Sequence, residues 1–369
     1  MPIGKTLFNI RENGKDMTFQ RFDSGSAANG ELAEGCKYCV KGSKMVLLIT
    51  GVCNAGCFYC PVSAEKKGKD VVYANEGRVG SDDEVIAEAL AMEAEGTGIT
   101  GGDPSMKLDR AIHYIRLLKE RFGRGHHIHM YTSVISLENA RKLEEAGLDE
   151  IRYHPVESLW ERMDTTELKA VIDGTKMDVG IEVPALPGKE KELGALVEYA
   201  FGVGLKFMNL NELEFSESNW SMMDEQDYQI KDELSSAVLG SEEVAIHILD
   251  KYPDYRIHFC SSTFKDSVQL RNRLIRRAEH IAKEYDVITE DGTLLKGVIY
   301  AKDLSEAAAF LKEAYDVPDE LMFIDSERRR LEIAPWILEE IGTELQFRCY
   351  IIEEYPTEDR LEVERTPIN

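Results

Sequence analysis

The sequence predicts an α/β fold with a parallel sheet at its centre, set between an N-terminal β-hairpin extension and a small C-terminal α+β domain. Three observations carry this. Short β-like runs alternate with longer amphipathic ones from about residue 44 to residue 260; a hairpin-like pattern precedes that stretch; and the rhythm breaks near residue 285. The expected segments are 1–43 (extension), 44–284 (α/β core) and 285–369 (terminal domain).

In the extension, "KTLFNIR" and "MTFQRF" flank "ENGKD", which places Asn13-Gly14 at a hairpin turn. The core offers seven strand candidates: Lys44 to Thr50, Gly98 to Gly101, His127 to Tyr131, Glu150 to Tyr153, Val179 to Val183, Lys206 to Asn211 and Arg256 to Cys260. Each of the first five is followed by a segment of helical character. One starts at Ser81, where Ser81 and Glu84 have capping-box spacing ahead of Val85, Ala89 and Met92. Another places Ile112, Ile115, Leu118 and Phe122 on one face. Strands alternating with helices imply right-handed βαβ units, as an open doubly wound sheet or a full or partial barrel. Beyond residue 285, "YDVIT" and "LLKGVIY" read as a hairpin, Leu304 to Tyr315 as a helix, and "QFRCYIIEEY" and "RLEVERT" as late strands.

Composition narrows the function classes. The 68 acidic against 44 basic residues give a net charge of −24, which opposes broad contact with polyphosphate. Local basic sites are confined to Arg271, Arg273, Arg276 and Arg277, and to Arg328 to Arg330, and solvated helix faces account for such clusters more simply. No apolar run is long enough for a membrane helix and no secretory signal opens the chain, so a cytoplasmic, membrane-independent protein is expected. Of the seven cysteines, five lie between Cys36 and Cys60, a clustering that favours metal ligation over a disulfide framework.

In "GVCNAGCFYC", Cys53, Cys57 and Cys60 have C-x3-C-x2-C spacing. A short loop of this kind can bend round an iron–sulfur cubane and ligate three irons, leaving the fourth open to a small molecule. Gly51 and Gly56 free the backbone to wrap closely. The loop follows the strand "KMVLLIT", at the carboxyl end where parallel α/β sheets and barrels bind ligands. Buried structural cysteines, or a zinc site borrowing a distant ligand, fit this position less well.

"CNAGCFYC" resembles the radical SAM superfamily motif C-x3-C-x-Φ-C, and the resemblance puts Tyr59 beside the adenine of S-adenosylmethionine (SAM). "ITGGDP" resembles the family's GGE motif, so that Gly101, Gly102 and Asp103 would hold the methionine amino group, with Asp one methylene shorter than the commoner Glu. Thr132 and Ser133 end the third strand and Glu182 the fifth, where family members place SAM contacts. The motif resemblance spans residues 44 to about 215. It implies a six-stranded partial (β/α) barrel, a [4Fe-4S] cluster, SAM as cofactor and an electron donor such as ferredoxin or flavodoxin. "GCKYCVKGSKMVLLITGVCNAGCFYCP" with "KKGKDVVYANE" is further similar, over most of the chain, to a largely archaeal group related to pyruvate formate-lyase activating enzymes.

A second donor set is scattered. Cys36 and Cys39 form a C-x2-C pair before the first core strand, and His258 and Cys260 share a strand face near the end of the core. Together they offer Cys3His, suited to zinc, with an auxiliary iron–sulfur cluster as the rival and a merely buried Cys260 as the plain alternative. Cys349 reads as a buried strand cysteine.

The implied chemistry is reductive cleavage of SAM to methionine and a 5′-deoxyadenosyl radical, which abstracts hydrogen from substrate. Candidate substrate-facing groups are His129, Tyr131, Arg152, His154, Asn209, Asn211, Glu212 and Glu214, with His154 and Asn211 foremost as catalytic residues. Arg152 would suit a substrate carboxylate or phosphate. A protein or peptide substrate, a small molecule and a tRNA docked on the arginine stripe remain distinct expectations, as does a noncatalytic iron–sulfur or zinc protein.

Overall fold

The computed structural model describes residues 11, 12, 15, 16, 19–233 and 235–369. Two compact units emerge, residues 1–88 with 94–270, and residues 89–93 with 271–369.

Seven parallel strands form the heart of the first unit: β1 (Lys44–Leu48), β2 (Gly96–Thr100), β3 (His127–Thr132), β4 (Glu150–Tyr153), β5 (Asp178–Pro184), β6 (Phe207–Asn211) and β7 (Ile257–Cys260). They are hydrogen-bonded in sequence order, β1 to β7. Because every crossover advances in the same direction, right-handed connections put the helices on one face and leave the other face to curl inward. This is the partial-barrel arrangement, one parallel strand longer than the six the resemblance implies. The run is open: the outer side of β1 pairs antiparallel with Val72–Ala74 and that of β7 with Ala27–Ala28.

The strands alternate sharply. Met45, Leu47, Ile99, Ile128, Met130, Ile151, Tyr153, Val179, Ile181, Val183, Met208, Leu210, Ile257 and Phe259 are all buried apolar residues of one parity. Between them stand Lys44, His129, Glu150, Arg152, Asn209 and His258, buried and polar. A parallel sheet packed on both faces by apolar elements would read as continuous hydrophobic runs. The alternation therefore marks a polar interior opposite the helix-covered side.

The helices follow their sequence signals. Asp82–Ala91 begins with the expected capping box, Glu84 N–H donating to Ser81 Oγ at 3.4 Å and Ser81 N–H to Glu84 Oε2 at 3.3 Å. Leu108–Phe122 buries Ala111, Tyr114, Ile115 and Leu118. Leu137–Ala146 is capped by Ser136 and closed by Gly147 at φ 109°, a left-handed position that suits glycine. A shorter helix, α1 (Glu34–Val40), packs against β1, β2 and β3. Its Gly35 N–H donates to Glu150 Oε2 at 3.2 Å, and a Cβ there would meet His129, Arg152 and Glu150.

Of the N-terminal hairpin, Arg11–Glu12 pairs antiparallel with Lys15–Asp16, and Gln20–Arg21 of the second predicted strand pairs with Ala27–Ala28; the Asn13-Gly14 turn and residues 5–10, 17 and 18 of the predicted strands lie outside the described residues.

The second unit carries a six-stranded antiparallel sheet, including the predicted hairpin of Val287–Ile288 with Leu294–Tyr300. Helices Leu304–Tyr315 and Pro335–Ile341 pack over it, and Cys349 is a fully buried core residue beside Ile299, Leu311 and Leu338. Three of the arginines weighed as a docking stripe, Arg271, Arg276 and Arg277, bind the unit's own backbone. Arg271 donates to the Glu290 carbonyl at 2.8 Å, Arg276 to that of Met92 at 2.8 Å, and buried Arg277 to that of Pro356. Arg330 is enclosed by Glu332, Glu354 and Glu362.

Candidate active site

The carboxyl ends of β1 and β2 are clamped together. Gly102 N–H donates to the Thr50 carbonyl and Asp103 N–H to that of Val52, each at 2.8 Å. A Cβ on Gly102 would stand 2.5 Å from the Val52 oxygen and 2.6 Å from that of Gly51, so this position admits only glycine. The backbone of Gly102 and Asp103 therefore fastens the cysteine loop to the sheet. The loop's outer side is held by Gly51 N–H on the Lys69 carbonyl at 2.8 Å, and by Asp70, which receives Thr50 Oγ1 at 3.2 Å and pairs with Arg110 at 2.6 Å. Its far end is held by Asn219, whose amide donates to the Tyr59 carbonyl at 3.0 Å.

Cys53, Cys57 and Cys60 line one wall of a cavity of about 790 Å³ that opens into the polar interior. All three thiols are free; Cys53 is exposed and the other two half-buried. Burial raises the Cys53 and Cys57 thiols above their ordinary range, opposed at Cys57 by a hydrogen bond with Tyr59. Tyr59 is buried, and its hydroxyl lies 3.0 Å from His154 Nε2, which is also 3.9 Å from Cys57 Sγ. The other ring nitrogen of His154 sits 2.7 Å from the Glu182 carbonyl oxygen, which fixes that nitrogen as the donor and Nε2 as the acceptor. Burial lowers the His154 pKa and keeps the ring neutral.

A polar floor crosses the cavity. The Arg152 Nη1 donates to Glu182 at 2.7 Å and its Nε to Glu150 at 2.5 Å, while Asn209 and Asn211 donate to Glu182 at 2.9 and 3.0 Å. Burial raises the Glu182 carboxyl, but Arg152 and the two amides outweigh it and hold it down to about 2. Glu182 is thus an anion with its oxygens already engaged.

Most of the residues expected from sequence converge here. Tyr59, Gly101, Gly102, Thr132, Ser133, Tyr131, Arg152, His154, Glu182, Asn209, Asn211, Glu212 and Glu214 line the cavity with the triplet. His129 lies behind the wall, fully buried, its Nε2 3.1 Å from Lys44 Nζ and 3.2 Å from the Tyr131 hydroxyl. Asp103 is also withdrawn: it is 1 % exposed, and its two oxygens accept from Ser105 N–H at 2.9 Å, Thr132 Oγ1 at 2.7 Å, Ser133 N–H at 2.9 Å and the Ser133 hydroxyl. The acid of the GGD motif organises the ends of β2 and β3. Cys36, Cys39, His258 and Cys260 reach the same cavity from α1 and β7.

Sequence reasoning missed Lys44 and Lys265, both on the cavity wall. Burial works against the Lys265 ammonium, yet Glu214 and Cys260 raise its pKa overall. Lys44 carried a signal, a lysine opening an otherwise apolar strand; Lys265 opens a π-helical segment, Lys265–Leu270, that no pattern predicted.

The donor chemistry fits the cluster the resemblance implies. Three thiols free of disulfides line the cavity from one glycine-loosened loop, and no acid of the loop competes with them. A cubane takes its three thiolates at separate irons, and among the described residues no three Cys, His, Asp or Glu side chains converge closely enough for a lone ion.

Comparison with known proteins agrees with this site. Residues 47–177 match the Radical SAM superfamily, a stretch that holds the triplet, the glycine pair and His154, and residues 292–368 match a domain of unknown function, DUF8061. Over 359 residues, 92 % of this chain and 93 % of the relative, the sequence is 43 % identical to "Putative glycyl-radical enzyme activating enzyme MJ0021" of Methanocaldococcus jannaschii. Among solved structures, methylornithine synthase (PylB) aligns at TM-score 0.40 and 11 % identity, covering 58 % of this chain and 63 % of its own. HydG, a maturase of the [FeFe]-hydrogenase, aligns at 0.36 and 17 %, covering 60 % and 53 %. With its cysteine loop clamped at the head of a parallel run and its relative matched almost end to end, the chain belongs to the radical SAM superfamily and is an enzyme of that class.

Proposed function

We propose that this enzyme activates a partner protein by removing one hydrogen atom from it, leaving a carbon-centred radical on the partner. Held on Cys53, Cys57 and Cys60, a [4Fe-4S] cluster would supply the electron that splits SAM into methionine and a 5′-deoxyadenosyl radical, with a ferredoxin- or flavodoxin-type protein as the reductant. The chain's own residues bind and orient. Gly101 and Gly102 set the backbone beside the cysteine loop, Tyr59 offers an aromatic face locked by His154, and Thr132 and Ser133 close the rim. The Arg152–Glu182–Asn209–Asn211 floor gives the substrate a fixed, fully hydrogen-bonded polar surface that needs no reorganisation.

The observation that carries the reading is the continuity of one cavity from the three thiols to that polar floor. The named activity of the 43 % identical relative favours a protein substrate, and the arginines of the second unit are engaged internally, which removes the main support for docking of tRNA. The test is anaerobic incubation of the reconstituted enzyme with SAM, reductant and lysate fractions of the source cell. A protein-borne organic radical in the EPR spectrum, formed with stoichiometric 5′-deoxyadenosine, is the expected result; deoxyadenosine formation stimulated only by small molecules or RNA refutes the protein substrate.

A further inference from the structure

The cavity gathers a second set of sulfurs whose role nothing above uses. Cys36 and Cys39 lie one helical turn apart on α1, while His258 and Cys260 lie two residues apart on β7 and so share its inner face. Far apart in sequence, all four line one cavity. The fold achieves this by packing α1 beneath the strands and by adding β7 to the parallel run, in register with β6 at Asn209↔His258 and Asn211↔Cys260.

Three features distinguish this cluster from small apolar core residues. The Cys36 sulfur receives two N–H donors, Arg152 Nη2 at 3.4 Å and Asn209 Nδ2 at 3.3 Å, and the Cys260 sulfur receives Gln269 Nε2 at 3.8 Å. Donors aimed at sulfur are what the outer shell of a metal-bound thiolate supplies, and a buried neutral thiol calls for none of them. Next, His258 is buried with its Nδ1 lacking any hydrogen-bond partner, and the neighbouring Asn209 Oδ1 is equally bare. A buried polar atom left unpaired calls for a partner, which a water or a metal ion supplies. Last, Arg152 and Lys265 place cationic groups beside the Cys36 and Cys260 sulfurs, each shared with the carboxylates of Glu150, Glu182 and Glu214.

We propose that Cys36, Cys39, Cys260 and His258 form a second, thiolate-ligated metal centre, separate from the Cys53–Cys57–Cys60 site. Cys3His is a complete ligand set for a tetrahedral zinc ion, and the same thiolates would hold a small iron–sulfur cluster; thiolate ligation is common to both. The side chains are not gathered at lone-ion distance, so metal binding has to draw them in. The site ties α1 to β7 and so closes the polar interior between them.

The experiment uses the full chain with the first site removed. A C53A/C57A/C60A variant, purified anaerobically and gel-filtered, is analysed for zinc, iron and acid-labile sulfide. About one zinc per chain, or iron with matching sulfide, is the expected result and tells ion from cluster. Adding C36S and C39S should lower the bound metal roughly tenfold while far-UV circular dichroism is unchanged. Should the triple variant fail to fold, C36S/C39S in the otherwise native chain is compared with the native protein after identical reconstitution, and the loss of one centre's worth of metal is expected. A folded triple variant without metal, or metal content indifferent to C36S/C39S, overturns the proposal.

Discussion

The phenol of Tyr59 is hydrogen-bonded to Nε2 of His154 at 3.0 Å, and the opposite nitrogen of that ring is held by the carbonyl of Glu182 at 2.7 Å. One histidine thereby links the cysteine loop to the ends of β4 and β5. His154 is a positioning residue in this arrangement, since both of its nitrogens are engaged before any substrate arrives.

His154→Phe should cut SAM cleavage by about tenfold or more through loss of Tyr59 orientation, at a stability cost of about 1 kcal/mol for the hydrogen bonds. Tyr59→Phe should reproduce most of the effect on SAM affinity. Deoxyadenosine yield against SAM concentration checks both, and an unchanged KM for SAM in either variant contradicts the link.

Arg152 is 2 % exposed and answers two carboxylates. Arg152→Met leaves buried anions unpaired and should cost about 3–5 kcal/mol. Adding Glu182→Gln to that variant should recover part of the loss, a non-additivity expected of residues in one network. Urea unfolding of the single and double variants measures it.

Gly102→Ala drives a methyl group into the Val52 and Gly51 carbonyls. The cysteine loop has to shift, so iron incorporation on reconstitution should fall several-fold. Gly56 sits at φ 67° with open space around it, and Gly56→Ala should cost only about 1–2 kcal/mol of backbone strain with iron retained. The iron content of the two variants, compared side by side, separates crowding from strain.

Acid should destabilise the first unit from mild pH downward. Burial holds His126 down to about 4, with its Nε2 2.8 Å from Thr97 Oγ1. A neutral folded ring against an unfolded ring that protonates near 6.5 gives stability that is complete above that value. It is lost as pH falls from about 6.5 towards 4, by on the order of 3 kcal/mol. His126→Gln should flatten the pH dependence of the denaturation midpoint in that window.

Much of this was legible in the sequence because the signals were local. The parallel strands announced themselves as short β-like runs, the capping box of Ser81 and Glu84 formed as written, and the triplet and the glycine pair carried their own spacing. What the sequence concealed depends on distant partners. The withdrawal of Asp103 follows from Thr132 and Ser133 arriving from the next strand, and the helix over Cys36 and Cys39 exists because Gly35 lets it close against Glu150 and Arg152. Seven residues have little intrinsic helical stability, so no periodicity could reveal it. The opposed fates of His154 and His129, one at the cysteine loop and one behind the wall, likewise turn on which neighbours each ring meets.

The central claim is that the thiols of Cys53, Cys57 and Cys60 together hold the centre that cleaves SAM. The direct measurement is mass spectrometry of 5′-deoxyadenosine after anaerobic reconstitution with iron and sulfide and addition of SAM and dithionite. The native chain should produce it and Cys57→Ala should fall to background; equal yields from the two proteins would contradict the account.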